Sequence, residues 1–289
     1  MENLRSKLIL GTAQFGMNYG ISNQHGKPES SELNAIFNKA FTSGIKTLDT
    51  AQAYGNAITR IGNFIRNEKA MFKVLSKLNG NTAAEFIREA EAQLLELGIT
   101  SFHCLSLHRF NDAVNEQKCN SLLRLRQENK TKYCGISVYN NSEFERAIDM
   151  EWADVIQFPF NLLDNYSLRG SLMQKAKKNG KLLHGRSVFL QGLFFKDPEE
   201  LSPRFASLKE PIQRIRMVSA ENGISIPALS LCYALSQKCL DGVLIGVDTA
   251  RQLEENISSI SDPFTMKISE SIDAIEVSDK EILDPTKWN

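Results

Sequence analysis

Eight short runs of β-branched and apolar residues recur along this 289-residue chain, separated by longer stretches with helical spacing, and no other feature restricts its folding so tightly. The runs are Lys7–Ala13, Lys46–Ala51, Lys73–Leu78, Ser101–His108, Tyr133–Val138, Ala153–Phe160, Lys181–Val188 and Asp241–Val247. Helical grammar marks the segments between them. Ser31–Ser43 spaces Leu33, Ile36, Phe37, Ala40 and Phe41 along one face and stops at Gly44. Thr82–Leu97 opens on a capping box, Thr82 with Glu85, and ends before Gly98. Asn111–Asn129, Ser142–Asp149, Ser167–Asn179 and Thr249–Ile260 follow the same rules, and the long seventh connection holds Leu208–Asn222 and Pro227–Gln237.

Strand–helix units repeated without a break in composition predict one parallel (β/α)8 TIM barrel, a single domain spanning 1–289. A doubly wound open sheet would want a GxGxxG turn after the first strand, and Gly11-Thr12-Ala13-Gln14-Phe15-Gly16 does not supply one. In a barrel the functional residues belong at the C-terminal ends of the strands, which narrows the search to eight windows.

Charge and cysteine content exclude several classes. Basic and acidic residues balance at 34 each, and the densest basic cluster, Lys175, Lys177 and Lys178, lies on a polar helical stretch, so no nucleic-acid partner is expected. Five cysteines without CxxC spacing argue against disulfide or zinc frameworks and for reduced thiols. The apolar run Leu8-Ile9-Leu10 is too short for a signal peptide, and nothing approaches a membrane span. A cytoplasmic protein with no membrane partner is expected. His103 and His108 face opposite sides of one strand, and His184 has no ligand at metal spacing, so no metal is expected.

Three consecutive strand mouths carry the chemistry. The second reads Leu48-Asp49-Thr50-Ala51-Gln52-Ala53-Tyr54-Gly55, the third ends in Ser76-Lys77-Leu78, and the fourth in Leu107-His108-Arg109. An amine at the end of an apolar strand needs a carboxylate, and Asp49 can supply it to Lys77. A phenol is a weak acid at neutral pH, but a neighbouring ammonium stabilises its phenolate. Tyr54 beside Lys77 can therefore protonate a carbonyl oxygen while hydride arrives at the carbon, with His108 bonding the same oxygen. Each residue alone has an ordinary structural explanation: a turn tyrosine, a helix-capping aspartate, a lysine reaching solvent, a loop histidine. Their joint placement favours chemistry. Phe15, Met17, Tyr19, Arg109 and Phe110 are expected to edge the pocket.

The chain resembles the aldo-keto reductase family. The matching pieces are Gly11-Thr12, Asp49-Thr50-Ala51 with Tyr54-Gly55, Ser76-Lys77, Leu107-His108, Gly135-Ile136-Ser137, Gln157 with Asn161, and Leu253-Glu254-Glu255-Asn256. The resemblance implies a catalytic tetrad of Asp49, Tyr54, Lys77 and His108, and NADP(H) or NAD(H) as cofactor. It implies that Gly11, Thr12 and Asp49 lie at the cofactor, that Ser137 and Gln157 hold the nicotinamide carboxamide, and that Ser187, Leu190 and Gly192 follow the pyrophosphate. Glu255 and Asn256 would reach the adenine end. Arg186 stands where many members stack an aromatic ring on the nicotinamide, and Val138 where an Asn often follows the serine. Gly246, Val247, Asp248 and Gln252 replace the basic residues that usually grip a 2′-phosphate. The expected function is reduction of an aldehyde or ketone, sugar-like in the pocket's mixed polarity. A cofactor-binding regulatory subunit, an aldose 1-dehydrogenase and a barrel isomerase or aldolase using Lys77 as a Schiff base are the alternatives.

Overall fold

A computed structural model describes all residues except 1, 22, 24–25, 81, 261–263 and 289. Its strands are β1 (Leu8–Gly11), β2 (Thr47–Asp49), β3 (Lys73–Leu78), β4 (Phe102–Leu107), β5 (Thr131–Ser137), β6 (Val155–Pro159), β7 (Leu182–Arg186) and β8 (Gly242–Ile245). Every pairing is parallel, and β1 closes on β8, so the strands form a closed barrel in sequence order. The (β/α)8 architecture expected from the alternation is the one observed.

The ladders are shorter than most of the apolar runs because the chain turns away once it reaches the barrel rim. After β1, the Thr12 amide still donates to the Asp49 carbonyl at 3.0 Å, but Ala13–Gly16 is already a helical turn. Helix caps follow the sequence signals. Thr82 Oγ1 accepts from the Glu85 amide, and Gly98 closes that helix with φ +70°. The segment expected as one helix over Asn111–Asn129 divides into a 3-10 turn, Phe110–Val114, and a helix, Glu116–Gln127, because Asn115 caps the second piece. A helix the sequence reading does not mark, Ala57–Glu68, fills the connection between β2 and β3.

Two apolar layers support the rim. The larger packs the outward strand faces against the helices, with Phe37, Phe86, Phe144 and Phe158 fully buried. Each such side chain contributes about 1.5–3 kcal/mol. Ile9, Leu75, Cys104, Val155 and Leu244, drawn from five strands around the ring, form a separate plug inside the barrel. Register then lifts the polar residues above this plug. Asp49 lies opposite Gly11 and Leu75, Lys77 opposite Ser106, Ser137 opposite Gln157, and Arg186 opposite Pro159. Among the described residues no helix is long and apolar enough to cross a membrane.

Candidate active site

Above the plug Asp49 is the hub. Its Oδ2 receives Lys77 Nζ at 2.5 Å, its Oδ1 receives Gln157 Nε2 at 2.9 Å, and Asp49 and Lys77 are both about 3% exposed. A carboxylate this deep is stable only with such donors, since burying an unpaired charge is costly. The lysine–aspartate pair expected from adjacent strand ends is present.

Tyr54 stands above the pair. Lys77 Nζ lies 5.5 Å from its ring centroid, and the His108 ring meets it edge-on at 6.1 Å. The turn carrying Tyr54 is locked by two glycines. A Cβ on Gly16 would fall 1.7 Å from the Tyr54 carbonyl oxygen, and one on Gly55, at φ +54°, would fall 2.2 Å from the Gly16 carbonyl oxygen. Only this glycine pair lets the turn Ala13–Gly16 seat against the phenol's backbone. The electrostatics differ from the sequence expectation, in which Lys77 stabilises the phenolate. Burial pushes the Tyr54 phenol up and the Asp49 charge adds to it, while the cation opposing them is Arg186. The physical reason is that the Lys77 ammonium is already committed to Asp49. His108 is pushed down to about 3 by burial, then by Lys77, Arg186 and Arg109, so its imidazole is neutral at physiological pH. Tyr19 is pushed up to about 12, again by burial first.

These groups share one cavity of ≈ 880 Å³. Of the residues singled out in the sequence, Gly11, Thr12, Asp49, Tyr54, Lys77, His108, Ser137, Gln157, Arg186, Ser187, Gly192, Asp248 and Gln252 line it. Leu190 does not; it is fully buried below the loop. Neither do Glu255, whose carboxylate pairs with Arg251 at 2.8 Å on the exposed face of the last barrel helix, Ala250–Ser259, nor Asn256, which is buried in it. Of the expected pocket edges, Met17 and Tyr19 line the cavity. Phe15 and Phe110 are instead core residues, since each is large and apolar and finds a buried aromatic or helical neighbour, while Arg109 points to solvent.

The cavity has features suited to a dinucleotide. Gln157 Oε1 is buried with no hydrogen-bond partner among the described residues, an acceptor open to an N–H donor such as a carboxamide. After β7 the backbone of Ser187, Leu190, Gln191 and Gly192 takes φ between +46° and +88°. Three of those four are not glycine, which costs about 1 kcal/mol each and is a mark of functional loops. The Ile21 amide donates to the Gln191 carbonyl at 3.0 Å, and Asn23 Nδ2 to Asp248 Oδ1 at 3.0 Å, so the β1 loop ties the β7 and β8 loops together. At the start of the helix Ala250–Ser259, Glu32 Oε1 accepts from the Ala250 amide at 2.6 Å and Thr249 from that of Gln252.

Sequence reading misses several lining residues: Tyr139, Phe189, Phe195, Arg204, Phe205 and Trp288. They come from irregular loops and the chain's end, where no periodicity applies. The signal available was the aromatic Trp288 in an otherwise polar tail, and its indole is buried against Phe205.

A carboxylate, an amine, a phenol and a neutral imidazole thus converge at one mouth of a closed parallel barrel. The sequence profile of the aldo/keto reductase family matches residues 7–277. The chain belongs to that family of NAD(P)-dependent oxidoreductases acting on carbonyl and hydroxyl groups. Among its relatives, the L-glyceraldehyde 3-phosphate reductase of Escherichia coli (strain K12) is 23% identical over 271 residues, 78% of each chain. The L-galactose dehydrogenase of Arabidopsis thaliana is 24% identical over 273 residues, 88% of this chain and 84% of that one. The holo form of an aldo-keto reductase from Bacillus halodurans superimposes with a TM-score of 0.76 at 16% identity, covering 94% of this chain and 93% of that one.

Proposed function

We propose that the chain reduces a sugar-like aldehyde or ketone, with Tyr54 as the proton donor. The observation that carries this reading is the convergence of Tyr54, His108 and the Asp49–Lys77 pair on a single cavity whose floor also presents the unpartnered acceptor of Gln157. Two relatives are named for a sugar and for a sugar phosphate, which agrees with a polyhydroxy substrate.

A nicotinamide held in this cavity would supply hydride to the carbonyl carbon. The carbonyl oxygen accepts hydrogen bonds from the Tyr54 hydroxyl and from the neutral His108 imidazole, which orients it without adding charge. As the oxygen gains electron density, the Tyr54 proton moves to it and the alcohol is complete; Tyr54 then recovers its proton from solvent. Lys77 stays paired with Asp49, and the Arg186 charge favours the phenolate formed. The reverse traffic, with Tyr54 as base, oxidises an aldose at its hydroxyl carbon. Ser137 and Gln157 would hold the carboxamide, Gly11, Thr12 and Arg186 the nicotinamide half, and Ser187 and Gly192 the pyrophosphate. Asp248 and Gln252 would lie toward the adenine ribose.

Discrimination between the two nicotinamide cofactors is weak in this reading. Among the described residues, the lysines and arginines lining the cavity are Lys77, Arg186 and Arg204, none of them on the β8 loop. Arg251, the side chain nearest in sequence, is held by Glu255, while Glu32 and Asp248 place carboxylates at the same turn. The test is fluorescence titration with NADH and NADPH, followed by a panel of aldehydes, ketosugars and aldoses. Binding of both cofactors with turnover of at least one carbonyl supports the reading. Binding without turnover of any substrate rejects it in favour of a regulatory role.

A further inference from the structure

We propose that Arg186 is the recognition point for an anionic group, a carboxylate or a phosphate, carried by the carbonyl substrate. The inference rests on the reductase reading for the carbonyl end and adds the chemistry of the other end.

The charge balance of the catalytic mouth points to it. Asp49 and Lys77 cancel across 2.5 Å. His108, Tyr19 and Tyr54 are neutral at physiological pH. Arg186 remains as a positive charge at this end of the cavity, half-buried and with no carboxylate at ion-pair distance among the described residues. Its bonds are long and go to neutral acceptors: one terminal nitrogen donates to Ser187 Oγ and the other to the Val138 carbonyl, each at 3.3 Å. Nearby Arg169 shows what a satisfied guanidinium looks like here, gripping both oxygens of Asp164 at 2.6 and 2.7 Å. Asp164 feels the Arg186 charge but is already taken by Arg169.

Arg186 is also preorganised. Its guanidinium lies 4.2 Å over the Tyr139 ring, which fixes the plane and leaves the fork of N–H donors directed by stacking rather than by a salt bridge. A planar fork of this kind matches a carboxylate or phosphate oxygen pair. Its charge acts on Tyr54, His108 and Tyr19 together, which places it within electrostatic reach of the reacting oxygen. An anion bound there would sit a short chain away from the carbonyl and would neutralise an otherwise uncompensated cation.

Steady-state kinetics on matched aldehydes test this. Succinic semialdehyde is compared with butanal for the carboxylate, and glyceraldehyde 3-phosphate with glyceraldehyde for the phosphate. The wild type should favour at least one anionic member by about ten- to a hundredfold in kcat/KM, mainly through KM, as a charged hydrogen bond is worth. In Arg186→Gln that preference ratio should collapse toward one, and Arg186→Lys, which keeps charge without the fork, should retain part of it. Arg186→Met repeats the test if the glutamine variant does not fold. A wild-type ratio near one in both pairs, or a ratio that survives Arg186→Gln, overturns the proposal. If no aldehyde turns over, the reductase reading fails by itself, and the anion site is judged by binding alone. Succinate and glycerol 3-phosphate, which lack a carbonyl, should then bind the wild type saturably in isothermal titration calorimetry and not bind Arg186→Gln. Absence of binding of both to the wild type also overturns it.

Discussion

Breaking the Asp49–Lys77 pair from either side should destabilise the protein far more than removing both charges together. With the two side chains about 3% exposed and 2.5 Å apart, Lys77→Met leaves a carboxylate whose remaining side-chain donor among the described residues is Gln157, and Asp49→Asn leaves an ammonium facing an amide. Removing one member of a buried pair costs about 3–5 kcal/mol, whereas replacing both is often close to neutral. Unfolding entropy for 289 residues is about 0.6 kcal/mol per degree, so each single variant should lower Tm by roughly 5–8 °C. The double variant Asp49→Asn/Lys77→Met should recover most of that loss. Urea and thermal unfolding of the four proteins close the cycle, and turnover measured alongside should remain low in the double variant because the charged pair beneath Tyr54 and Gln157 is gone. Additive effects, with the double variant as unstable as the two singles combined, would refute the view that the pair is a mutually compensating buried unit.

Tyr54→Phe should lower turnover by about 10²–10⁴ while cofactor affinity, read by fluorescence titration, changes little; a variant keeping a tenth of wild-type activity or more would remove Tyr54 as the acid. His184 is buried inside the barrel and pushed down to about 4, by burial first, so it stays neutral in the fold where the unfolded chain takes up a proton. Stability should therefore be fully present above pH 6.5 and fall by about 3 kcal/mol from this group as pH drops to 4, a slope that His184→Gln should flatten in urea titrations across that range. Asp248→Ala should shift preference toward NADPH, from a parent that uses NADH within about tenfold, or ~1.4 kcal/mol. A thousandfold NADPH preference in the parent's kcat/KM values would show that Arg251 leaves Glu255 to bind the phosphate.

What the sequence determines by itself follows from local rules that survive without tertiary contacts. Short β-branched and apolar runs separated by capped helical segments leave a parallel barrel as the simplest closed arrangement, and strand ends carrying Asp49, Lys77 and His108 then converge by topology. Tyr54-Gly55 was legible for the same reason, as a turn leaving a strand. The tertiary structure decided which charges meet. Four side-chain dihedrals let Lys77 choose between Tyr54 and Asp49, and the buried carboxylate wins because its desolvation is the larger cost. That choice hands the phenol to Arg186, a residue whose place on β7 is visible in sequence but whose lack of a carboxylate is not. Helix Ala57–Glu68, the Gly16–Gly55 contact, Glu32 at the last barrel helix and the aromatic wall around Trp288 likewise depend on pairs far apart in the chain. Periodicity reports which face of one element is apolar; it carries no record of which distant side chain will pack or pair there, because that is settled by shape and desolvation when the elements meet.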